Sequence, residues 1–543
     1  MERTTNTRYV FVTGGVLSGV GKGITAASLG AVLKARGLKV SIQKCDPYLN
    51  VDAGMLNPAE HGECYVTKDG AETDLDLGHY ERFLDIELTQ ASSTMSGYLL
   101  RQLIEDERAG KFQGKTVQVV PHFTDAIQHS IIAAGEGSDI HIVEIGGTVG
   151  DIEGLAFIEA IRELSGRLGR DACVFAHVVY IPYLSTSKEY KTKPAQMAVR
   201  ELRSLGIQPD MLLARTEGPI AEHVVGKLSM FGGVPRDAVV LLPNARTVYE
   251  VPLTLQAHHM DDLILQRFDI HAPTADMQRW HEVVQAATTK REHTVTIGIV
   301  AKYLDNEDTY FSVIEALSSA AWHQQVNLRY EWVDAERLER EGADGLAIYD
   351  GILVPGGFGA RGVEGKIAAA RYAMDHDKPY LGICLGLQVA AIAAARKAGI
   401  HDANSSETDP HTSNPVIYIM KGQQGKESTG GTMRLGDYTC EISEGSLAER
   451  VYGSREIVER HRHRYEVNQR YRDQLKQAGL RISGLSPDGR LVEMVELDGA
   501  EYFIATQAHP EFRSRPNRAH PLFNGLVAAA KARVVAQRVS IEV

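Results

Sequence analysis

Residues 379–399 read PYLGICLGLQVAAIAAARKAG, and this stretch decides the fold of the C-terminal half. A short apolar strand at 380–383 runs into Cys384 and then into a long alanine-rich helix. Gly382 and Gly386 flank the cysteine where a tight turn leaves no room for side chains. The pattern predicts a nucleophile elbow of the G-x-S-x-G kind, with cysteine in place of serine. We expect the thiol at a helix N-terminus, where the helix dipole favours a thiolate and can stabilise an oxyanion.

A thiolate nucleophile needs a base, and the base needs an orienting acid. The segment ATQAHPEF (505–512) supplies both, as His509 and Glu511. If this segment is an extended strand, the two side chains lie on one face, because strand periodicity is two. A backbone N–H in the turn PGGFG (355–359) is a candidate second oxyanion donor. Read singly, Cys384 would be a buried core cysteine; read together, these features predict a catalytic site.

The N-terminal half carries a glycine-rich loop. The strand YVFVT (9–13) leads into GGVLSGVGKGITAASLG (14–30), so backbone N–H groups at the start of a helix can cradle phosphates. Lys22 is placed to reach the β- and γ-phosphates, but Gly23 stands where Ser or Thr would ligate Mg²⁺. The metal must then be held elsewhere. Asp76 and Glu144 are the candidates, because acids beyond the carboxyl ends of parallel strands suit this role.

Strands and helices alternate along both halves, which predicts βαβ units and an α/β fold with parallel sheets. The 543 residues are too many for one hydrophobic core. We predict a P-loop-type domain at 1–271, a linker at 272–295 that contains one amphipathic helix, and a second α/β domain at 296–543.

Composition narrows the class of protein. The chain has 58 Lys and Arg against 70 Asp and Glu, a net charge of −12, which argues against nucleic-acid binding. Five scattered cysteines without a CxxC pair favour neither a disulfide framework nor a zinc site, so we expect a reducing, cytoplasmic compartment. We find no apolar signal-peptide segment and no run of about 18 apolar residues, so we expect no secretion and no membrane.

The segments GICLGLQ and QAHPEF resemble class I glutamine amidotransferases, over about 296–543. The resemblance implies that Cys384 forms a thioester with glutamine and that ammonia is released. It also implies a set of glutamine-binding residues. These are Gly357, Leu385, Gly386, Leu387, Gln388, Glu407 and Arg464.

Nearly the whole chain resembles the CTP synthase family, on segments that include VTGGVLSGVGKG, KCDPYLNVDAG, VEIGGTVGDIE, EYKTKPAQ and HRHRYEVN. The resemblance implies a P-loop-type parallel-sheet synthase domain followed by a class I glutaminase α/β domain. The implied reaction of pyrimidine biosynthesis is UTP + ATP + glutamine → CTP + ADP + phosphate + glutamate. It further implies Mg²⁺, GTP as allosteric activator, feedback inhibition by CTP, and a homotetramer.

The resemblance also implies two sets of nucleotide-binding residues, each taken from the matching position in the family's motifs. The ATP contacts are Gly19, Val20, Gly21, Lys22, Gly23, Ile24, Asp76, Pro243, Asn244 and Ala245. The UTP and CTP contacts are Ser18, Asp151, Ile152, Glu153, Lys191, Thr192, Lys193, Pro194, Ala195, Gln196 and Lys227. The stretch 243–245 departs from the commoner Lys-Asp-Val, so its adenine contact is expected from the backbone.

Further features carry expectations from the family. Cys64 stands where valine is more usual, beside His61, in the region that gates the ammonia passage. Residues 430–436 (GGTMRLG) resemble the family's lid over the glutaminase, and Arg361 lies near the GTP site.

Two alternatives remain from the sequence. A corrin-amidating synthase shares the two-part plan, but it should lack the YKTKPAQ loop. A non-catalytic, filament-forming paralogue should have lost Cys384, His509, Lys22, Asp76 or Glu144, and none is lost.

Overall fold

The computed structural model describes residues 7–56, 61–304, 306–426 and 431–542, and the chain divides into two compact units. Unit 1 comprises Met1–Asp52 and Asp76–Thr288, and unit 2 comprises Ala53–Leu75 and Thr289–Val543. The sequence predicted that residues 53–75 belong with the rest of the N-terminal half. In the structure this segment is part of unit 2, because its partners lie there.

Unit 1 is built around a sheet of seven strands among the described residues, and every strand pairing is parallel. The strands are β1 (Arg8–Gly14), β2 (Val40–Asp46), β3 (Ser93–Met95), β4 (Ile140–Ile145), β5 (Cys173–Tyr180), β6 (Met211–Thr216) and β7 (Val239–Pro243). Their order across the sheet is β7-β6-β5-β1-β4-β2-β3. The loops that follow β1, β2 and β4 therefore meet at one edge.

Helices flank this sheet. They are α1 (Lys22–Ala35), α2 (Asp76–Leu84), α3 (Ser96–Arg108), α4 (Thr124–Gly135), α5 (Leu155–Leu168), α6 (Lys193–Ser204), α7 (His223–Gly232), α8 (Val251–Ala257), α9 (Met260–Phe268) and α10 (Gln278–Thr288). A hairpin of Tyr183–Leu184 and Glu189–Tyr190 precedes α6. Strand β1 is buried along almost its whole length, as expected for a parallel strand covered on both faces.

The predicted linker at 272–295 contains the expected amphipathic helix, α10. Trp280 on this helix is buried, and its ring lies 5.2 Å from that of Phe83 and 6.1 Å from that of Tyr249. These contacts place the helix in unit 1, so only the part of the predicted linker that follows Thr288 belongs to unit 2.

Unit 2 contains a mixed sheet of nine strands among the described residues. The strands are β8 (Thr294–Ala301), β9 (Asn327–Asp334), β10 (Gly351–Val354), β11 (Tyr380–Ile383), β12 (Arg434–Ile442), β13 (Glu456–His463), β14 (Leu480–Leu485), β15 (Val492–Leu497) and β16 (Phe503–Thr506). Their order is β9-β8-β10-β11-β16-β15-β14-β12-β13. Pairing is parallel from β9 to β16 and antiparallel from β16 to β13.

The helices of unit 2 are α11 (Phe311–His323), α12 (Ala335–Glu341), α13 (Val363–Asp375), α14 (Leu385–Lys397), α15 (Leu447–Tyr452), α16 (Arg472–Gln477) and α17 (Pro521–Glu542). A smaller sheet adds Ala403–Ser405, Asn414–Ile419 and Tyr465–Val467. The α14 helix is buried over its first eleven residues, which explains its run of small and apolar side chains.

Residues 53–75 join unit 2 through a short hairpin, Tyr65–Val66 with Glu72–Thr73. Arg462 Nε lies 2.8 Å from Glu72 Oε1, and Arg460 Nη1 donates to Val66 O at 3.1 Å. The side chain of Arg460 is fully buried, and a buried guanidinium is stable only when it is hydrogen-bonded. These buried polar contacts fix the hairpin in unit 2.

Candidate active sites

Cys384 lies at the start of α14 with φ 52° and ψ −99°, backbone angles that a non-glycine residue rarely adopts. A Cβ built on Gly386 would lie 2.2 Å from Val354 O, and one on Gly382 would lie 2.7 Å from the Gly386 backbone. The predicted elbow is thus confirmed as a strand, a strained turn and a helix. Strain of this kind at a reactive side chain is typical of functional sites.

His509 and Glu511 meet behind this elbow, with 2.7 Å between His509 Nδ1 and Glu511 Oε1. The prediction of an extended strand here is wrong, because β16 ends at Thr506 and Pro510–Arg513 forms a 3-10 turn. The turn, rather than strand alternation, brings the carboxylate to the imidazole. Burial opposes the charged imidazole, but Glu511 and Cys384 outweigh it and raise the pKa of His509 to about 10.

The Cys384 thiol has neighbours that the sequence did not reveal. Gln507 Nε2 donates to Sγ at 3.6 Å, and Sγ lies 3.7 Å from Arg462 O. Gln388, on the first turn of α14, donates to Gln507 Oε1 at 3.3 Å. Cys384 is buried, with 6% of its surface exposed.

Several of the residues assigned to glutamine lie at the same elbow. Leu385, Gly386 and Leu387 form the first turn of α14, and Gly357 lies in the turn after β10. Glu407 Oε1 accepts from Gly359 N at 2.7 Å, and burial raises the pKa of this carboxyl.

Arg464 acts electrostatically on Glu407, and its guanidinium donates to Gln423 Oε1 at 2.7 Å and Thr432 Oγ1 at 3.0 Å. A carboxylate and a guanidinium that lie close enough to interact suit the charged amino and carboxyl groups of an amino acid.

A pocket within unit 2 adjoins the catalytic pair, and Cys64, Tyr303 and Arg462 line it together with His509 and Glu511. Cys64 therefore lines the same pocket as His509 and Glu511. His61 lies at the described end of the same segment and is exposed.

Other family-derived assignments also fall in unit 2. Arg361 Nη2 donates to Lys302 O at 2.8 Å, beside the turn at 355–359, and its Nη1 pairs with Glu336 at 2.7 Å. Gly430 of the expected lid lies outside the described residues. Gly431 N donates to Glu72 Oε2 at 3.2 Å, so this end of the lid contacts the hairpin.

In unit 1 the glycine-rich loop joins β1 to α1, with Gly21 (φ 88°) as the residue before the helix. Lys22 Nζ donates to Gly147 O at 2.7 Å, and burial lowers its pKa. The residues expected to contact ATP include Gly19, Val20, Gly23 and Ile24, which lie on this loop and on the first turn of α1, whereas Ser18 is exposed on the loop.

The two candidate metal ligands share one lysine. Lys44 Nζ donates a hydrogen bond to Asp76 Oδ2 and lies 3.1 Å from Glu144 Oε1. Glu144 is buried, which raises its pKa, and Tyr80 Oη donates to its second oxygen. In the described part of the chain, no group of three or more His, Cys, Asp or Glu side chains is arranged to hold a metal directly.

The departure at Gly23 has a steric cause. A Cβ built on this residue would lie 1.9 Å from Asp76 Oδ1. The Asp76 carboxylate thus occupies the space that a Ser or Thr side chain would need. The chain replaces the hydroxyl of the common loop motif with a carboxylate from α2.

Residues 243–245 lie at the exposed end of β7, next to the loop. Arg215 Nη2 donates to Asn244 Oδ1 at 3.0 Å, and its Nε lies 3.6 Å from a Cβ built on Gly21. Sequence reasoning missed Arg215, because an arginine at a strand end is usually a solvated charge. Pro243 and Ala245 flank Asn244 on the exposed rim.

The residues assigned to UTP and CTP form two groups. The lysine loop at 191–196 leads into α6, which begins at Lys193. A Cβ built on Gly15 would lie 2.5 Å from Ala198 Cβ of this helix. Lys191 donates a hydrogen bond to Glu189. Together with Lys227, it lowers the pKa of the Glu189 carboxyl. The other lysine-loop residues are Thr192, Lys193, Pro194, Ala195 and Gln196.

The second group, Asp151, Ile152 and Glu153, is exposed on a separate turn after β4. Asp151 accepts there from Thr148 N at 3.2 Å.

None of the helices in residues 7–56, 61–304, 306–426 and 431–542 combines the length and apolar character of a membrane span.

Together, a cysteine elbow with a His–Glu pair and a phosphate loop with clustered lysines and carboxylates define a glutamine-dependent, nucleotide-using ligase. Residues 8–270 match the family model for the CTP synthase N-terminus, and residues 305–529 match that for class I glutamine amidotransferases. The chain belongs to the CTP synthase family, and it is an enzyme with a synthase and a glutaminase domain.

Curated relatives agree. The chain is 50% identical over 528 residues to the CTP synthase of Carboxydothermus hydrogenoformans, which covers 96% of this chain and 98% of the relative. It is 50% identical over 531 residues to that of Methanocaldococcus jannaschii, with 96% and 98% covered. The solved glutaminase domain of Trypanosoma brucei CTPS with bound acivicin is 42% identical and covers 44% of this chain and 94% of that one, with a TM-score of 0.42. The identity to these two full-length relatives and the match to the CTP synthase family model exclude the corrin-amidating alternative.

Proposed function

We propose that Cys384 is the nucleophile of the glutaminase, with His509 as its proton carrier and Glu511 as the group that orients His509. The main support for this proposal is the 2.7 Å contact between His509 and Glu511, next to a thiol on a strained elbow. The thiolate attacks the glutamine carboxamide carbon, and the carbonyl oxygen becomes an oxyanion. His509 gives its proton to the departing ammonia, and water then cleaves the thioester to glutamate.

Glutamine itself would be held by its charged ends. We assign its α-ammonium to Glu407 and its α-carboxylate to Arg464, since the two side chains interact electrostatically. The first turn of α14, including Gln388, supports the amide end through Gln507, whose side chain contacts Cys384.

In unit 1 we propose that ATP phosphorylates O4 of UTP and that ammonia then displaces phosphate from C4. Oxide is a poor leaving group, whereas phosphate is a good one, so the phosphorylation makes amination feasible. Lys22 and Lys44 supply positive charge beside the glycine-rich loop, where the transferring phosphoryl would lie. Arg215 adds a guanidinium at the same rim, next to Asn244 and the proposed adenine site.

Mg²⁺ fits the acidic cluster of unit 1. Asp76 and Glu144 already gather round a cation, the Lys44 ammonium, and carboxylate oxygens are the donors that Mg²⁺ prefers. We assign the metal to these two carboxylates and to the phosphates of the nucleotide. When bound, it would neutralise phosphate charge during the transfer.

The remaining ligands follow from the family and from local charge. The UTP triphosphate would bind the lysine loop and Lys227, a group of cations beside the hairpin that precedes α6. CTP would use the same loop together with residues 151–153. GTP as activator near Arg361, a homotetramer, and a cytoplasmic location complete the proposal.

Ammonia must be used before it is protonated, because ammonium has no lone pair. We propose that the pocket lined by Cys64 and Arg462 is the first part of its path away from Cys384. Cys64 then helps to set the width of that path.

The test separates the two nitrogen sources. Cys384→Ala should lose CTP formation from glutamine and keep CTP formation from an ammonium salt. Lys22→Ala serves as the converse variant, since it should abolish CTP formation from either source while glutamine hydrolysis survives. If Cys384→Ala lost both activities, or kept glutamine use, the division of roles would be wrong.

A further inference from the structure

Lys366 is a fully buried lysine directly below the turn that follows β10. It lies on the first turns of α13 and has no exposed surface, beside the apolar side chains of Val363, Ile367 and Ala370. A buried ammonium is costly unless its hydrogens are bonded. Its partners are backbone carbonyls: Nζ lies 2.8 Å from Pro355 O and 3.4 Å from Gly356 O.

These two contacts orient two peptide groups. In a trans peptide the N–H points away from the C=O of the same plane. The carbonyl of Pro355 shares its plane with the N–H of Gly356, and the carbonyl of Gly356 shares its plane with that of Gly357. With both carbonyls turned to Lys366, both N–H groups point to the opposite side of the turn.

The catalytic groups lie against this turn. A Cβ built on Gly356 would lie 2.9 Å from His509 Cε1 and 3.7 Å from Cys384 Cβ. The turn therefore contacts Lys366 through its carbonyls and approaches the nucleophile at Gly356. Lys302 supports the same turn further along, since its Nζ donates to Gly359 O at 2.8 Å.

Electrostatics link the lysine to the reaction. Burial lowers the pKa of Lys366, Lys302 lowers it further, and Cys384 raises it. Negative charge at the elbow therefore favours the protonated lysine, and the protonated lysine in turn favours negative charge at the elbow.

We propose that Lys366 is a positioning residue for glutamine hydrolysis, which holds the carbonyls of Pro355 and Gly356 so that the N–H groups of Gly356 and Gly357 face the oxyanion formed at Cys384. The proposal rests on the proposed role of Cys384. An oxyanion exists only after the thiolate attacks, so Lys366 should support turnover more than glutamine binding.

The test uses the full-length enzyme with Lys366→Met, which keeps the length of the side chain and removes its donors. The matched control is Lys378→Met, since Lys378 also donates to a carbonyl, Ala347 O at 2.9 Å, on a half-buried side chain in unit 2. We expect kcat for glutamine hydrolysis to fall by about 10²- to 10³-fold, the usual effect of losing one oxyanion donor. KM should change by less than about threefold, and the control should be unaffected in both.

A second readout distinguishes positioning from general structural support. The aldehyde analogue of glutamine adds to the thiol as a tetrahedral adduct, so its inhibition constant should rise roughly as much as kcat/KM falls. A rise in KM alone, unchanged kcat, or an unchanged inhibition constant would overturn the proposal. Lys366→Gln, which keeps a donating NH₂ group, should give an intermediate kcat.

The outcomes also separate this proposal from the one on Cys384. If both Lys366 variants lose their fold, the lysine is structural and the positioning role is wrong. If Cys384→Ala still hydrolyses glutamine, the proposed nucleophile fails whatever Lys366 does.

Discussion

Restoring a side chain at Gly23 should disable the synthase half of the enzyme. The common phosphate-loop motif has Ser or Thr at this place, so Gly23→Ala and Gly23→Ser look like harmless moves toward the consensus. In the structure, the new Cβ would lie 1.9 Å from Asp76 Oδ1 and 2.7 Å from its Cγ. To reach an ordinary contact of 3.4 Å, the Asp76 oxygen must retreat by about 1.5 Å.

The cost follows from what Asp76 holds. Its carboxylate is bonded to Lys44, which also pairs with Glu144, so a displaced Asp76 disturbs all three groups. Overpacking of this kind destabilises by about 1–3 kcal/mol. A misplacement of roughly 1 Å in a catalytic arrangement can lower the rate about 10²-fold. We therefore expect a fall of at least about 10²-fold in the rate of CTP formation.

The assay is CTP formation from UTP, ATP and an ammonium salt, with glutamine hydrolysis measured on the same preparation. Hydrolysis should persist, because Gly23 is in unit 1 and the glutaminase elbow is in unit 2. Gly166→Ala is the control, since its Cβ would meet no atom within 4 Å and it lies inside a helix. That change should be neutral or stabilise by about 0.5–1 kcal/mol. Full ammonia-dependent activity in Gly23→Ala, with an unchanged thermal midpoint, would refute the reasoning.

Two further predictions concern protonation. Glu511→Gln should lower the glutaminase kcat by about 10²- to 10⁴-fold, as for loss of the orienting acid in a catalytic triad. Glu511 also helps to raise the pKa of His509 from 6.5 to about 10. The stabilisation of the folded protein by this pair is therefore complete below pH 6.5 and is lost as pH rises through 10. The thermal midpoints of wild type and variant should therefore differ most near about pH 6 and converge above about pH 10; a constant difference would contradict this. Tyr80→Phe removes a hydrogen bond that lowers the pKa of Glu144. The acidic limb of the pH profile of ammonia-dependent CTP formation, measured at constant free ammonia, should therefore move to higher pH. An unmoved limb would contradict the pairing of Tyr80 with Glu144.

Local patterns were enough to predict the parts of the fold that depend on neighbouring residues. The strand at 9–13 and the elbow at 384 are confirmed, because a strand, a glycine turn and a helix leave a signal within a short stretch. The prediction of an extended strand at His509 was wrong because the local sequence does not decide the conformation there. Proline and the following turn residues fit either an extended chain or a 3-10 turn, and only the tertiary contact with the elbow selects the turn.

Buried polar groups were harder to predict. The segment 458–464, VERHRHR, contains mostly charged residues and suggests an exposed strand, yet Arg460 is fully buried and His461 and His463 nearly so. Lys366 is a similar case, since a lysine on a helix is usually solvated. Their partners are distant in sequence or are backbone carbonyls, neither of which leaves a pattern in side-chain type.

The hairpin at 65–73 constrains how the two halves can be recombined. An exchange of glutaminase halves between related enzymes, cut at the connection after Thr288, would leave this hairpin behind with the N-terminal piece. Arg460 and Arg462 of the incoming half would then meet a foreign hairpin in place of Val66 and Glu72. The glutaminase is thus inherited in two separate stretches of the gene, and a functional chimaera must transfer both.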